Sequence, residues 1–362
     1  MSGAFRHGIY INEVSTNLIS LSKQTTGLTM VIGTAPIHLA SEPAAVNEPV
    51  LCESYQEAVR RLGYSSETSK YTLCEAMEVL FGLYNVGPVV FVNVLDPARH
   101  KQTATETATM NAQGVGEVTL SDLDVSRTVI KLGNEELPAD WTYLGNDKWQ
   151  FATGKTSTKE QSVTLTCSKV DAGAVTSADV IGGVDATTGK ATGLELVTEV
   201  YPRFGMTIGQ IIAPKWSSTT PGVAMAMAAK ARSINGHFSA LALADLPAVA
   251  TTGYAGAITA KNSNYTQESL VVCYPQVSYG GQVQYLSTHL AGVLSRTAQN
   301  DDDIPYRSPG NQTLYIDGMV NGDGTDNYFG WTAANELNSA GIVTVLRQNG
   351  WRVWGDRTSI YP

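Results

Sequence analysis

Asp96 in "VLDPARH" and Asp245 in "LADLP" each follow a run of apolar residues. In open α/β sheets that is where strands end and where ligands are held. Two carboxylates meeting there could share general-acid and general-base work. The same aspartates also read as turn or cap residues, whose side chains bond the backbone just past a strand, and the context favours this reading. A serine hydrolase needs its nucleophile on a sharp glycine-flanked turn, with a histidine to serve it. No GxSxG occurs and no serine has that setting. His289 falls on the apolar side of a helical stretch and reads as a packed core residue. His7, His38, His100 and His237 are isolated, without the spacing of metal ligands. "NGDGTDNYF", Asn321 to Phe329, resembles a calcium loop only faintly. The bidentate glutamate of the twelfth position is missing, so a polar turn is expected. The strand ends "VLDPARH", "IIAPKW", "LADLPAV" and "CYPQV" turn on prolines, where a phosphate loop wants glycines with free N–H groups. Neither GxGxxG nor GxxxxGK[ST] is present. No metal, nucleotide or other cofactor is expected.

The chain that must position these groups has 362 residues, which suggests two or three folding units. It is 43% hydrophobic and 16% charged, an ordinary globular balance and not a disordered one. A formal net charge of −9, without a basic stripe, argues against a nucleic-acid partner. Cys52, Cys74, Cys167 and Cys273 lie scattered in apolar stretches, as buried free thiols of a reducing compartment would. The opening "MSGAFRHGIYINEV" has no apolar signal region, and no segment reaches membrane-spanning length.

"GIYINEV", Gly8 to Val14, reads as a strand set apart from the next by a polar run, so it must pair with something. From residue 26 to 100, apolar strands ("LTMVIGTAP", "PVLCES", "GPVVFVNVLDP") alternate with helical patterns ("SYQEAVRRLG", "KYTLCEAMEVLFGLYN"). That rhythm predicts a mostly parallel sheet covered on both faces. At about residue 101 it breaks into the polar, low-complexity "KQTATETATMNAQG". Short strand-like pieces follow, "EVTLSD", "TVIKLG", "WTYLG", "KWQFATG" and "QSVTLTC", as in a small all-β module. From about 194 the α/β rhythm resumes through "MTIGQIIAP", "TTPGVAMAMAAKARSING", "FSALALADLP", "GYAGAITAKN", "SLVVCYPQV", "QVQYLSTHLAGVLSRTAQN" and "GIVTVLRQNGWRVWG". The division expected is an N-terminal arm (1–25), a core in two parts (26–100 and 194–362), and an inserted β-rich domain with linkers (101–193).

"AGIVTVLRQNGWRVWGDRT" resembles the signature of contractile tail sheath proteins of bacteriophages and R-type bacteriocins. The matching positions include Gly341, Ile342, Arg347, Gly350, Trp351, Arg352, Trp354, Gly355, Arg357 and Thr358. Asp356 stands where asparagine is commoner. Gly8, Ile9, Tyr10, Ile11, Asn12, Glu13 and Val14 resemble the family's inter-subunit arm strand, and "EPVLCESYQEAVRRLG" its next strand–helix unit. The resemblance covers about residues 1–100 and 178–362. It implies a subtilisin-like α/β core without protease chemistry, carrying an inserted small all-β domain. It also implies subunits that stack as rings around an inner tail tube and lend terminal strands to one another. The implied partners are other sheath subunits, the tube protein, the baseplate and the tail terminator. A membrane is met only indirectly, through the injection machine. The implied location is the virion tail, after synthesis in the host bacterial cytoplasm. Sheath proteins continue past this signature, whereas here four residues follow Thr358, so a further assembly domain is expected to be lacking. Two other readings stay open on the residues alone: an α/β enzyme, and a surface-binding module whose β domain meets a receptor or glycan.

Overall fold

The computed structural model describes residues 27–362 apart from 250, 251 and 303. The expected arm strand, Gly8–Val14, lies outside the described residues. The first third of the described chain holds three strands, β1 (Leu28–Gly33), β2 (Pro49–Cys52) and β3 (Val89–Asn93). Between β2 and β3 run α1 (Tyr55–Leu62), α2 (Thr72–Ala76) and a π-helical continuation over Met77–Leu83. Ser54 caps α1 by accepting from Glu57 N.

Seven strands then follow without an intervening helix: β4 (Lys101–Met110), β5 (Val115–Thr119), β6 (Leu123–Leu132), β7 (Glu135–Leu137), β8 (Asp140–Gly145), β9 (Lys148–Ala152) and β10 (Gln161–Val170). They form an antiparallel sheet in the order β7-β6-β10-β4-β5-β9-β8. The two edge strands are consecutive in the chain, with only Pro138 and Ala139 between them. Three peptide links span at most about 11 Å, so the sheet wraps until its edges meet at that end. Its interior holds Met110, Leu123, Ile130, Phe151, Val163, Leu165 and Cys167. In β10 the buried Val163, Leu165 and Cys167 alternate with exposed Thr164 and Thr166, the two-residue period of a half-solvated strand. Most of the low-complexity run, Lys101–Met110, is β4, paired along its whole length with β10. Its inward side carries little more than Ala104, Ala108 and Met110, too small a hydrophobic signal to show the period.

The segment expected as a linker is ordered too. It contains α3 (Ser177–Ile181) and a two-stranded ribbon, β11 (Gly183–Val184) with β12 (Ala191–Thr192). Val175, Val180 and Leu194 are buried with the core and not with the seven-stranded sheet. The remainder runs α4 (Val197–Phe204), β13 (Ile208–Ile212), α5 (Trp216–Thr219), α6 (Pro221–Arg232), β14 (Leu241–Asp245), α7 (Gly253–Asn264) and β15 (Leu270–Cys273). Then come β16 (Gln276–Tyr279), β17 (Gln282–Gln284), α8 (Leu286–Asn300), β18 (Thr313–Leu314), β19 (Gly318–Val320), α9 (Trp331–Ser339), β20 (Ile342–Arg347) and β21 (Trp351–Trp354). "SLVVCYPQV" is thus two strands in two sheets, since β16 leaves the core sheet to pair with β17 and β19.

The core sheet is nine-stranded, in the order β18-β21-β20-β15-β14-β13-β1-β3-β2. Its six middle strands, β20 to β3, are parallel, and β2 and β21 add on antiparallel. Alternate residues point to opposite faces. Met30, Ile32, Val90, Ala242 and Val272 meet α3, α4, α6 and α9 on one side. Val31, Phe91, Leu243, Val271 and Val345 meet α1, α2 and α8 on the other. Burial on both faces explains the continuous apolar strands. All four cysteines are free and buried.

Candidate functional site

The carboxyl ends of β13 and β14, where a ligand would sit, are filled by the protein's own polar groups. Asp245 is buried. It accepts from Ser287 N at 2.9 Å and Ser287 Oγ at 2.5 Å, in the first turn of α8. Burial pushes its carboxyl up to about 6. Asp245 N donates to Ser217 Oγ (3.2 Å), and Tyr265 Oη donates to the Ser217 carbonyl (3.1 Å). Asp96 is elsewhere: its Oδ1 accepts from Ala98 N (2.8 Å) in a turn, and its N–H donates to His100 Nδ1 (2.9 Å). Both aspartates are therefore turn and cap residues.

The carboxylate beside Asp245 is Glu75, which the sequence reading missed. It lies in α2 between Cys74 and Ala76 and is buried. Its Oε1 accepts from Tyr285 N and from Thr288 Oγ1, both at 2.9 Å. Burial pushes its carboxyl up to about 8, and the charge of Asp245 acts in the same direction. Together the two acids satisfy N–H groups at the start of α8, which a helix cannot satisfy by itself. The only sequence signal was an acidic residue on an otherwise apolar helix.

His289 is fully buried, with Nδ1 3.2 Å from Tyr84 Oη and Nε2 2.9 Å from Gln284 Oε1. Burial lowers it to about 3, so it is neutral. Among the described residues Ser287 is hydrogen-bonded to an aspartate and not to a histidine. The Asn321–Phe329 loop bonds within itself and to the core. Asp323 Oδ1 accepts from Thr325 N and Oγ1, and Asn327 Nδ2 donates to Tyr274 Oη and Asn321 Oδ1.

The terminal signature forms the hairpin β20–β21 and the tail beyond it. Trp351 is buried, stacked on Tyr328 at 6.2 Å, with the Arg347 guanidinium 5.4 Å from its ring centre. Trp354 meets Trp331 edge-on at 5.2 Å and donates from Nε1 to Asn335 Oδ1 (3.0 Å). Arg352 Nη1 donates to Thr313 Oγ1 (2.7 Å) and so ties β21 to the edge strand β18. Gly350 has φ +100 in the turn between the strands, and Gly355 has φ +119 just past β21. At Gly355 a Cβ would lie 3.2 Å from Asn338 Oδ1 and 3.3 Å from the backbone of Ile342 and Val343. Asp356 accepts from Ser308 Oγ (3.2 Å), Arg357 lies over Tyr361 (3.7 Å), and the Thr358 carbonyl accepts from Tyr361 N (3.1 Å). Ser359 N donates to the Leu270 carbonyl, and buried Lys261 Nζ to the Tyr361 carbonyl, both at 2.6 Å. The paired tryptophans therefore finish the core sheet, and the tail is fastened back across it.

At the opposite, amino ends of β1, β13 and β14 lies an open cleft of about 510 Å³, lined by Gly27, Ile208, Phe238, Leu241 and Leu294 among others.

These features define a mixed α/β protein whose strand ends are capped from within and whose last hairpin is locked. Residues 189–359 match the phage tail sheath protein central domain. The relatives it resembles are tail sheath proteins as well. The chain is similar over its whole length to a tail sheath protein of Burkholderia phage BcepMu, at 26% identity over 390 residues and 76% of that protein. About half of it (49%) is 30% identical to a putative prophage major tail sheath protein of Pseudomonas aeruginosa UCBPP-PA14, covering 45% of that relative. Among solved structures it is similar to the sheath tail protein of Desulfitobacterium hafniense (13% identity, TM-score 0.48, 98% of this chain and 75% of that one). It is also similar to a chain of the anti-feeding prophage baseplate (14% identity, TM-score 0.47, 98% and 69%).

Proposed function

We propose that this chain is a repeating subunit of the contractile sheath around a phage-like tail tube, whose contraction drives the tube through a target envelope. Its nine-stranded sheet is the subtilisin-like core, and residues 101–170 are a β domain inserted on the outer side. Its partners are other copies of itself, the inner tube, the baseplate and the tail terminator. Gly8–Val14 is the strand exchanged between copies. Gly350–Thr358 serves as the rigid closure that lets each core move as one body. The chain carries out no catalysis, and contraction draws on a metastable packing without a nucleotide. Its place is the virion tail, after assembly in the host bacterial cytoplasm.

The observation that supports this reading most is the signature segment Gly350–Thr358, in which Trp351, Arg352, Trp354 and Gly355 all hold the β20–β21 hairpin against its neighbours. The test is quantitative mass spectrometry of purified tail particles. Peptides of this chain should be among the most abundant, in constant ratio to the tube protein before and after contraction. A ratio of a few copies per particle would overturn the proposal.

A further inference from the structure

Where β17 and the tip of the β16–β17 hairpin overhang the π-helical segment, there is an open pocket of about 460 Å³. Its walls include Tyr55, Tyr64 and Tyr279, with the carboxylate of Glu78 among them. Tyr55 and Tyr64 stand edge to face, ring centres 6.0 Å apart at 61°. Tyr279 is exposed at the hairpin tip, next to Gly280. The π-helical turn, closed by Tyr84 N donating to the Val79 carbonyl, places Glu78 and Gly82 on the pocket side. π-Helical turns are rare and gather at functional sites. A Cβ on Gly82 would meet nothing within 4 Å, so that side of the pocket is open space.

Glu78 decides what fits. Its Oε1 accepts from Tyr64 Oη, and Oε2 has no hydrogen-bond partner among the described residues. Among those residues no lysine, arginine or histidine nitrogen lies within 4 Å of it. Aromatic faces carry negative potential and attract cations. An anion would be repelled by this carboxylate, and a neutral guest would desolvate it without pairing it. We propose that Tyr55, Tyr64, Tyr279 and Glu78 form a cage for an organic cation, an ammonium or guanidinium head. The cation comes either from a free amine or from a lysine or arginine side chain of another protein.

Ligand-observed NMR titration of the full chain with choline and with its neutral isostere, 3,3-dimethylbutan-1-ol, tests this directly. N-acetyl-lysine methylamide serves as the side-chain probe. At least one of the two cations should bind saturably, and the neutral alcohol about tenfold more weakly than choline or not at all. Glu78→Gln and Tyr279→Ala should each weaken cation binding by about tenfold or more. Tyr279 stands at an exposed tip, so its variant keeps the test sharp if Glu78→Gln fails to fold. Tighter binding of the lysine probe assigns the cage to a protein side chain, and tighter binding of choline to a free amine. Equal binding of choline and its isostere, no saturable binding of either cation, or affinities unchanged in both variants would overturn the proposal.

Discussion

The nine-stranded core and the seven-stranded sheet are built on opposite terms. In the core, strands are apolar on both faces and a buried polar group such as Gln210 is surrounded by partners: its Nε2 lies 2.7 Å from Thr29 Oγ1, 2.7 Å from Ser295 Oγ and 2.9 Å from the Ala291 carbonyl oxygen. In the second sheet one face is solvated, and it is laced by surface pairs such as Lys148–Glu117 at 2.6 Å and Lys131–Glu136 at 2.9 Å. Polar contacts hold much of the junction between them. Asp122 takes Lys70 Nζ and Tyr71 Oη, and Leu39 reaches from the core to the second sheet's interior. A region with its own hydrophobic interior and a polar junction can change or loosen without disturbing the body that carries it. This difference separates a rigid unit from a tolerant one.

The largest effects should come from emptying each interior in turn. Phe91→Ala removes a ring buried in the core and should cost about 3–5 kcal/mol. It should lower the thermal midpoint of the whole chain. Phe151→Ala opens a comparable cavity in the second sheet. Hydrogen exchange should then speed up over 101–170 while β1, β3 and β13 keep their protection; equal loss in both regions would break the comparison.

Next in size is the pH dependence of the core. Glu75 titrates at about 8 when folded and near 4.5 when unfolded, and Asp245 at about 6 against 3.8. The folded state therefore binds more protons, and stability falls as pH rises, from about 4 to 6 through Asp245 and from about 4.5 to 8 through Glu75. Urea titrations across that range should show the decline, and Glu75→Gln should remove the part above pH 6. A smaller effect is expected at Gly341, where φ is +73 and a Cβ would lie 2.4 Å from the Tyr361 carbonyl oxygen. Gly341→Ala should cost about 1–3 kcal/mol and release the tail, read as faster exchange at Ser359. Smallest is Lys131→Ala in the second sheet, which removes an exposed pair and should shift stability by no more than about 1 kcal/mol.

The sequence showed the core well, because strands buried on both faces leave long apolar runs and amphipathic helices leave a 3.6-residue period. It served less well where side chains are small or mixed. β4 sets threonines on its outer side and little more than alanines on its inner one, and α9 buries only Ala333, Ala334 and Leu337. The split between β15 and β16 was hidden because both strands are apolar at the junction. In the candidate site, Asp245 and His289 could be placed by context. Glu75 could not, since its partners Tyr285 and Thr288 lie more than two hundred residues away. Of the signature's aromatic partners, Tyr328 sits in the stretch that reads as a polar turn and Trp331 just past it.

The most direct test of the account is electron microscopy of intact tail particles labelled with an antibody against the exposed β8–β9 turn around Asn146. The account predicts regular decoration along the whole outer surface of the sheath, in extended and contracted tails alike. Label confined to the baseplate, or appearing only on tubes stripped of their sheath, would contradict it.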